Sequence, residues 1–113
     1  MKIVTPRDDQ EISKLFKTDS NIILDFYANW CGPCKSVSTA FSEIAKEEMF
    51  KNLTVIKINI EKFSHLSNVY NIKSLPTIIF TTDHAGERKN IKTKVGSVNK
   101  NDLITLIDDA YEQ

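Results

Sequence analysis

The chain has 113 residues, 41% of them apolar, which suffices for one packed domain over residues 1–113 and leaves no room for two cores. Its 15 basic residues balance 15 acidic ones, and a net charge of zero argues against broad binding to nucleic acid or to an acidic membrane surface. The N-terminus lacks the apolar run of a signal peptide, and no stretch approaches the ~20 apolar residues of a membrane span, so we expect a cytoplasmic protein.

The N-terminal half of the chain predicts two strands, each followed by a helix. Residues 2–5 form a short first strand. Thr5 and Pro6 then predict a helix start, with Thr5 as the N-cap and Pro6 at the first helical position. The nearly continuous apolar run 21–27 is typical of a strand buried on both faces. A helical stripe of apolar residues follows this run and reaches about Phe50.

The C-terminal half predicts three more strands and two more helices. The segments are a strand at 53–60, a helix at about 63–70, a strand at 75–81 opened by Pro76, a turn at 83–86, a strand at 91–95 and a last helix with Asn99 as its N-cap. The last two strands pair antiparallel, whereas strands that alternate with helices pair in parallel. The order β-α-β-α-β-α-β-β-α therefore predicts an α/β fold with a central five-stranded mixed sheet flanked by four helices.

The only two cysteines, Cys31 and Cys34, lie in one short run, so they would contribute little as a structural cross-link. Cys31 falls where a buried strand ends and a helix begins, and free backbone N–H groups and the helix dipole stabilise a thiolate there. Cys34 lies one helical turn away on the same side. We therefore expect Cys31 to attack a substrate disulfide and Cys34 to resolve the mixed disulfide. Gly32 lets a partner backbone approach, and Pro33 pre-sets φ for the first turn.

A Cys-x-x-Cys pair is also half of a zinc site, which is the main alternative from the residues alone. Only His65 and His84 could complete it, and they lie too far apart in the sequence for the usual short histidine spacing. We expect both histidines to be ordinary surface residues and predict no metal. An iron–sulfur cluster shared between two chains is a further alternative.

The run Trp-Cys-Gly-Pro-Cys-Lys at residues 30–35 matches the active-site signature of the thioredoxin family in full, and similarity to that family extends over segments 25–28, 57–61, 72–77 and 94–96. The chain thus resembles a thioredoxin. The resemblance implies the thioredoxin fold and a protein-disulfide reductase that binds no cofactor. Electrons would come from NADPH through a thioredoxin reductase to the redox-active Cys31–Cys34 disulfide, in the service of cell redox homeostasis.

The resemblance also implies roles for residues outside the cysteine pair. Asp25 becomes a buried acid of raised pKa that moves the Cys34 proton, the alternative being an edge strand with Asp25 in water. Lys57 lies near that acid and tunes it, the alternative being a solvated strand end. Pro76 resembles the cis-proline beside the disulfide, where the backbone of Leu75 pairs with an incoming peptide. The implied apolar docking surface comprises Trp30, Gly32, Pro33, Ile60, Leu75, Pro76, Val95 and Gly96.

The partners implied are a thioredoxin reductase and disulfide-containing proteins, with the chain itself a monomer. A non-catalytic interaction subunit that uses the same docking surface is the alternative function. The segment 81–93 is longer than the tight hairpin usual in the family. A basic cluster follows Glu87, and we interpret it as a bias towards acidic partners, or else as protection of an edge strand from aggregation. Its members are Arg88, Lys89, Lys92, Lys94 and Lys100.

Overall fold

The computed structural model describes residues 1–111. Its elements are β1 (Lys2–Val4), α1 (Asp9–Thr18), β2 (Asn21–Tyr27), α2 (Gly32–Lys46), β3 (Leu53–Asn59), α3 (Ser64–Val69), β4 (Thr77–His84), β5 (Glu87–Val95) and α4 (Lys100–Tyr111). The predicted order of strands and helices is confirmed, and so is the five-stranded mixed sheet with four helices.

The sheet has the strand order β1-β3-β2-β4-β5, which places β2 at its centre. β3 runs parallel to both β1 and β2, while β4 is antiparallel to β2 and to β5. The interior residues of β2, 22–26, are all buried, as the apolar run predicted. The central strand β2 therefore ends directly before the short loop that leads to the two cysteines.

Helices cover both faces of the sheet, and alternate strand residues supply two separate cores. The face that packs on α2 and α4, here the α2 face, is built from Ile23, Val55, Ile78 and Phe80 with Val37, Phe41, Ile44, Leu103 and Ile107. The opposite face, here the α1 face, is built from Ile22, Leu24, Phe26, Ile56 and Ile58 with Ile12 and Phe63. Asp25 lies two residues after Ile23, so it belongs to the α2 face.

The prediction that α1 starts at Thr5 and Pro6 is wrong. The helix begins at Asp9, and its N-terminus is capped by Asp8. The N-cap is Asp8, whose carboxylate accepts a hydrogen bond from the Glu11 N–H at 2.9 Å. Glu11 in turn accepts from the backbone N–H of Arg7 at 2.7 Å. This reciprocal pair satisfies the N–H groups of Arg7 and Glu11 at the start of the helix.

Helix α2 ends at Lys46, four residues before the predicted end. Glu48 and Phe50 both have φ of 55°, a left-handed conformation that stops the helix. Met49 and Phe50 still pack against the core of the α2 face, but from a loop. Their apolar side chains fit the helical spacing in the sequence, and this is why the predicted helix extended too far. At the other end of the chain the predicted cap of α4 is present, since the Asp102 N–H donates to Asn99 Oδ1 at 2.8 Å.

The hairpin of β4 and β5 is longer than predicted. Its turn consists of Ala85 and Gly86, with φ of 53° and 84°. Positive φ at both central residues is typical of two-residue hairpin turns, whose twist matches that of the flanking strands. A bulge between Phe80 and Thr81 leaves Ile91 without a paired residue. The segment 81–93 is thus the outer half of a long hairpin, and half of the expected turn at 83–86, Asp83 and His84, belongs to β4.

Candidate active site

The cysteines lie at the junction between the central strand and helix α2. Cys31 is the N-cap of α2, and its sulfur accepts a hydrogen bond from the Cys34 N–H at 3.2 Å. The two residues form a disulfide with their Cα atoms 5.4 Å apart, and both are almost fully buried. Pro33 stands in the first turn, where its missing N–H costs no hydrogen bond.

The position of Cys31 favours the thiolate once the disulfide is reduced. The N-terminus of a 15-residue helix carries partial positive charge, and the same Cys34 N–H would donate to the anion. Cys34 sits inside the helix, with no such cap. The local geometry therefore distinguishes the two sulfurs, with Cys31 the better nucleophile.

The apolar residues predicted to surround the cysteines lie at this end of the sheet. Ile60 and Leu75 pack against the disulfide together with Ala28 and Tyr27. The Leu75–Pro76 peptide bond is cis, and both residues precede β4. The Pro76 carbonyl accepts from the Gly96 N–H at 2.9 Å, and Val95 pairs with Thr77, so residues 95–96 lie beside Pro76.

Part of this surface is open to solvent. Trp30 is 69% exposed and Val95 is 55% exposed, which is unusual for such apolar side chains. The Trp30 indole N–H donates to Glu61 at 3.4 Å, which holds the ring beside the cysteines. A Cβ added at Gly32 would meet no atom within 4 Å, so this glycine faces open space. Trp30, Gly32 and Val95 are therefore accessible from solvent.

Asp25 is buried behind the cysteines, with 1% of its surface exposed. Because β2 is the central strand, the alternative of an edge strand with Asp25 in water is wrong. Burial raises the pKa of Asp25 from 3.8 to about 6, although the positive charge of Lys57 acts in the opposite direction. Within residues 1–111 no group hydrogen-bonds its Oδ1 atom. The carboxyl is thus buried, with one oxygen to which no described residue donates a hydrogen bond.

A cavity of about 180 Å³ connects the acid to the cysteine pair. Asp25, Cys34 and Lys57 all line it. The volume is enough for several water molecules, and the Asp25, Ser38 and Lys57 side chains in its wall are polar partners for them. Water in this cavity would offer a short route for a proton between Cys34 and Asp25.

Lys57 pairs with Asp25 in the register of β3 and β2, yet its ammonium does not contact the carboxylate. The Lys57 Nζ atom donates to Ser38 Oγ at 2.9 Å and lies 5.0 Å from the centre of the Tyr27 ring. The ion pairs within 4.0 Å among residues 1–111 do not include Lys57. Sequence reasoning missed Ser38, although it lies four residues after Cys34 and thus on the same helix face.

The histidines that a zinc site would require lie elsewhere. His65 pairs with Asp9 of α1 at 2.8 Å. His84 ends β4, about 23 Å of strand away from Thr77, the residue that follows Pro76. Residues 1–111 contain no group of three or more potential metal ligands, and no helix in this range has the length and apolarity to span a bilayer.

The interpretation of the whole basic cluster as a partner surface is wrong for Arg88. The Arg88 guanidinium donates to the backbone carbonyls of Phe16, Asp19 and Ser20, so it serves the fold. Lys100 lies apart from the others, at the start of α4, where it forms an ion pair with Glu47. The three remaining members of the cluster are Lys89, Lys92 and Lys94.

A buried Cys-x-x-Cys disulfide that caps a helix, beside a cis-proline and a mixed sheet, defines a thiol–disulfide oxidoreductase with protein-disulfide reductase activity. The chain belongs to the thioredoxin family, whose model, described as Thioredoxin, matches residues 3–109.

Known thioredoxins are similar to the chain over most of its length. The thioredoxin of Mycoplasmoides gallisepticum is 36% identical over 107 residues, which cover 95% of this chain and 99% of that protein. The thioredoxin of Rickettsia felis is 37% identical over 95 residues, covering 84% and 86%. The crystal structure of Plasmodium falciparum thioredoxin matches with a TM-score of 0.81 at 24% identity, over 96% of this chain and 86% of that one. This last match shows the fold.

Proposed function

We propose that Cys31 is the attacking and Cys34 the resolving cysteine of this reductase, and that Asp25 handles the proton of Cys34. The observation that carries the proposal is the cap of α2, where the Cys34 N–H donates to the Cys31 sulfur. A donor at that position stabilises charge on Cys31 and on no other sulfur of the chain. The proposal also places the chain in the cytoplasm, as a monomer that serves cell redox homeostasis.

The exchange proceeds in two displacements. The Cys31 thiolate attacks one sulfur of a substrate disulfide, forms a mixed disulfide and releases the second substrate sulfur as a thiolate. Cys34 then loses its proton, attacks the Cys31 sulfur and releases the first substrate sulfur. Two electrons pass from the dithiol to the substrate, and the Cys31–Cys34 disulfide forms.

Asp25 supplies the base for the second displacement. A carboxyl of pKa about 6 is mostly ionised at neutral pH yet close enough to neutrality to exchange protons readily. It shares the cavity with Cys34, and its free Oδ1 atom is able to accept a proton through water. In this proposal Lys57 tunes the acid without contacting it.

The docking surface presents backbone and apolar side chains to the substrate. The Leu75 backbone would pair with an extended substrate segment, while the exposed Trp30 and Val95 would pack against it. The proposed partners are disulfide-containing proteins and a thioredoxin reductase that returns electrons from NADPH. No cofactor is proposed to bind to the chain itself.

The test measures reduction of a model disulfide protein by the wild type, Cys31→Ser and Cys34→Ser, first with dithiothreitol and then with NADPH and a thioredoxin reductase. We expect activity only in the wild type. Cys34→Ser should accumulate a mixed disulfide through Cys31, visible as a mass increase that reductant removes. Ser36→Ala, which alters another small side chain of α2, is the control and should remain active.

Two outcomes would contradict this assignment. An inactive wild type would favour the non-catalytic interaction subunit. Adducts that persist on Cys31→Ser instead of on Cys34→Ser would reverse the two roles.

A further inference from the structure

The ammonium of Lys57 is held by two groups that the reductase mechanism does not use. Ser38 accepts its hydrogen bond at 2.9 Å, and the Tyr27 ring lies 5.0 Å away. Both groups are half-buried, as is Lys57 itself. A long flexible side chain loses entropy when it is fixed, so a fixed ammonium requires contacts such as these.

Ser38 stands between two cavities that flank the buried acid. The cavity of about 180 Å³ contains Cys34, and a second cavity of about 190 Å³ lies towards β1 and Ser42. Asp25, Ser38 and Lys57 line both cavities. The Ser38–Lys57 hydrogen bond therefore lies in the wall that the two cavities share, next to the carboxyl of Asp25.

The position of the Lys57 ammonium matters because direct contact with the Asp25 carboxylate would hinder proton transfer by Asp25. A direct ion pair would occupy the carboxylate and make it a poor proton acceptor. An ammonium free in water would be screened and would stabilise the carboxylate little. Held at Ser38, the charge acts through space and leaves Asp25 Oδ1 without a hydrogen bond.

We propose that Ser38 is a positioning residue, whose hydroxyl holds the Lys57 ammonium beside the Asp25–Cys34 cavity so that its charge acts on Asp25 without contact. The proposal deepens the proposed function, since it rests on Asp25 as the proton acceptor for Cys34. It adds to the site a side chain of α2 that touches neither substrate nor sulfur.

The other groups that face Asp25 do not substitute for this arrangement. Cys34 and Lys35 of α2 line the cavity of about 180 Å³, and so does Tyr27 of β2. The partner of Asp25 on β4 is the apolar Ile78, and the β1 side contributes Ile3 and Thr5. Among residues 1–111, Lys57 is the one cation whose charge lowers the pKa of Asp25.

The test follows the carboxyl carbon of Asp25 by NMR from pH 4 to pH 9 in the oxidised protein, where the disulfide removes the titration of Cys34. Ser38→Ala frees the ammonium to enter water, and we expect the Asp25 midpoint to rise by about one pH unit. Ser38→Thr keeps a hydroxyl and should titrate like the wild type. Ser42→Ala, one turn further along α2 and lining the second cavity, is the matched control and should also leave the midpoint unchanged.

A double substitution shows whether the effect passes through Lys57. Lys57→Met alone should raise the midpoint, and adding Ser38→Ala should raise it no further. An equal shift in the two backgrounds, no shift in Ser38→Ala, or a downward shift would each overturn the proposal, the last because the hydroxyl would then keep the ammonium away. The titration needs no turnover, so an inactive wild type would count against the proposed function alone.

Discussion

At the scale of single residues, Asp25 is the least favourable group in the core. A carboxylate on the central strand loses its hydration, and the Lys57 charge compensates only in part. Its Oδ1 atom has no hydrogen-bond partner within residues 1–111. Such a group lowers stability, and buried acids with a strongly perturbed pKa cluster at functional sites, which fits the proposed role in proton transfer.

The stability of the protein should fall as pH rises through the pKa of Asp25. Burial raises that pKa from 3.8 to about 6, so the folded state binds the proton more tightly than the unfolded state does. The stabilising effect of the proton is complete below about pH 4 and is lost as pH passes about 6. At ~1.4 kcal/mol for each unit of pKa, ionised Asp25 costs about 3 kcal/mol at pH 7.

Asp25→Asn should therefore unfold at a higher urea concentration than the wild type at pH 7, by about 2 kcal/mol after allowing for the buried amide. The advantage should disappear near pH 4. Urea titrations of the oxidised proteins at pH 4, 5.5 and 7 measure it, with the exposed Asp83→Asn as control. A variant less stable than the wild type at pH 7 would mean that the carboxylate is stabilising.

At the scale of elements, Arg88 joins the edge strand β5 to the end of α1. Its guanidinium reaches three carbonyls at 2.6–2.7 Å and lies 5.1 Å from the Phe16 ring. The last carbonyls of a helix have no partner within it, and a cation there also complements the helix dipole. One side chain thus closes the C-terminus of α1 and fixes the outer half of the long hairpin.

Arg88→Ala should lower the free energy of unfolding by about 2–4 kcal/mol, because it leaves several carbonyls unsatisfied. Arg88→Lys should recover only part of this, since one ammonium cannot span three carbonyls. Lys89→Ala is the control: its contact with Glu87 is exposed, and we expect a change below about 0.5 kcal/mol. Chemical denaturation of the four proteins measures the series. Equal stabilities of Arg88→Ala and Lys89→Ala would show that the contacts contribute nothing.

At the scale of the whole molecule, a net charge of zero hides an uneven distribution. Lys89, Lys92 and Lys94 pair with Thr82, Phe80 and Ile78, so all three lie on the α2 face of the edge strand. Lys94 also lines a groove of about 660 Å³ between β5 and α4, next to the docking surface. A local basic row that leads towards the disulfide would steer acidic substrates without any excess of charge overall.

Replacing Lys89, Lys92 and Lys94 together with glutamine should slow reduction of an acidic disulfide protein by about threefold to tenfold at low salt. The difference should shrink above about 0.2 M salt, where screening removes steering. Stopped-flow rates against acidic and basic substrates measure it. The control removes the same charge from the exposed Lys14, Lys17 and Lys51, and an equal loss there would indicate an effect of net charge.

The sequence alone determined the order of the elements and the location of the chemistry, because both depend on neighbours in the chain. The buried run 21–27, the helical spacing after it and the cap at Asn99 are local patterns. Cys31 and Cys34 are three residues apart, so the helix itself brings their sulfurs together. The strand at 87–90 was missed because an edge strand in solvent needs no apolar alternation.

Only the tertiary structure decided which distant residues meet at the site and at the ends of the elements. Leu75 packs against the disulfide because β4, which begins after Leu75 and Pro76, lies next to β2. Lys57 meets Ser38 across a strand and a helix, 19 residues apart in the chain. The Arg88 side chain packs against the end of α1 because backbone carbonyls there lack partners within the helix. The charge pattern of the sequence does not show these carbonyls. Periodicity describes one element at a time, whereas these contacts form only when the packed elements bring unsatisfied groups together.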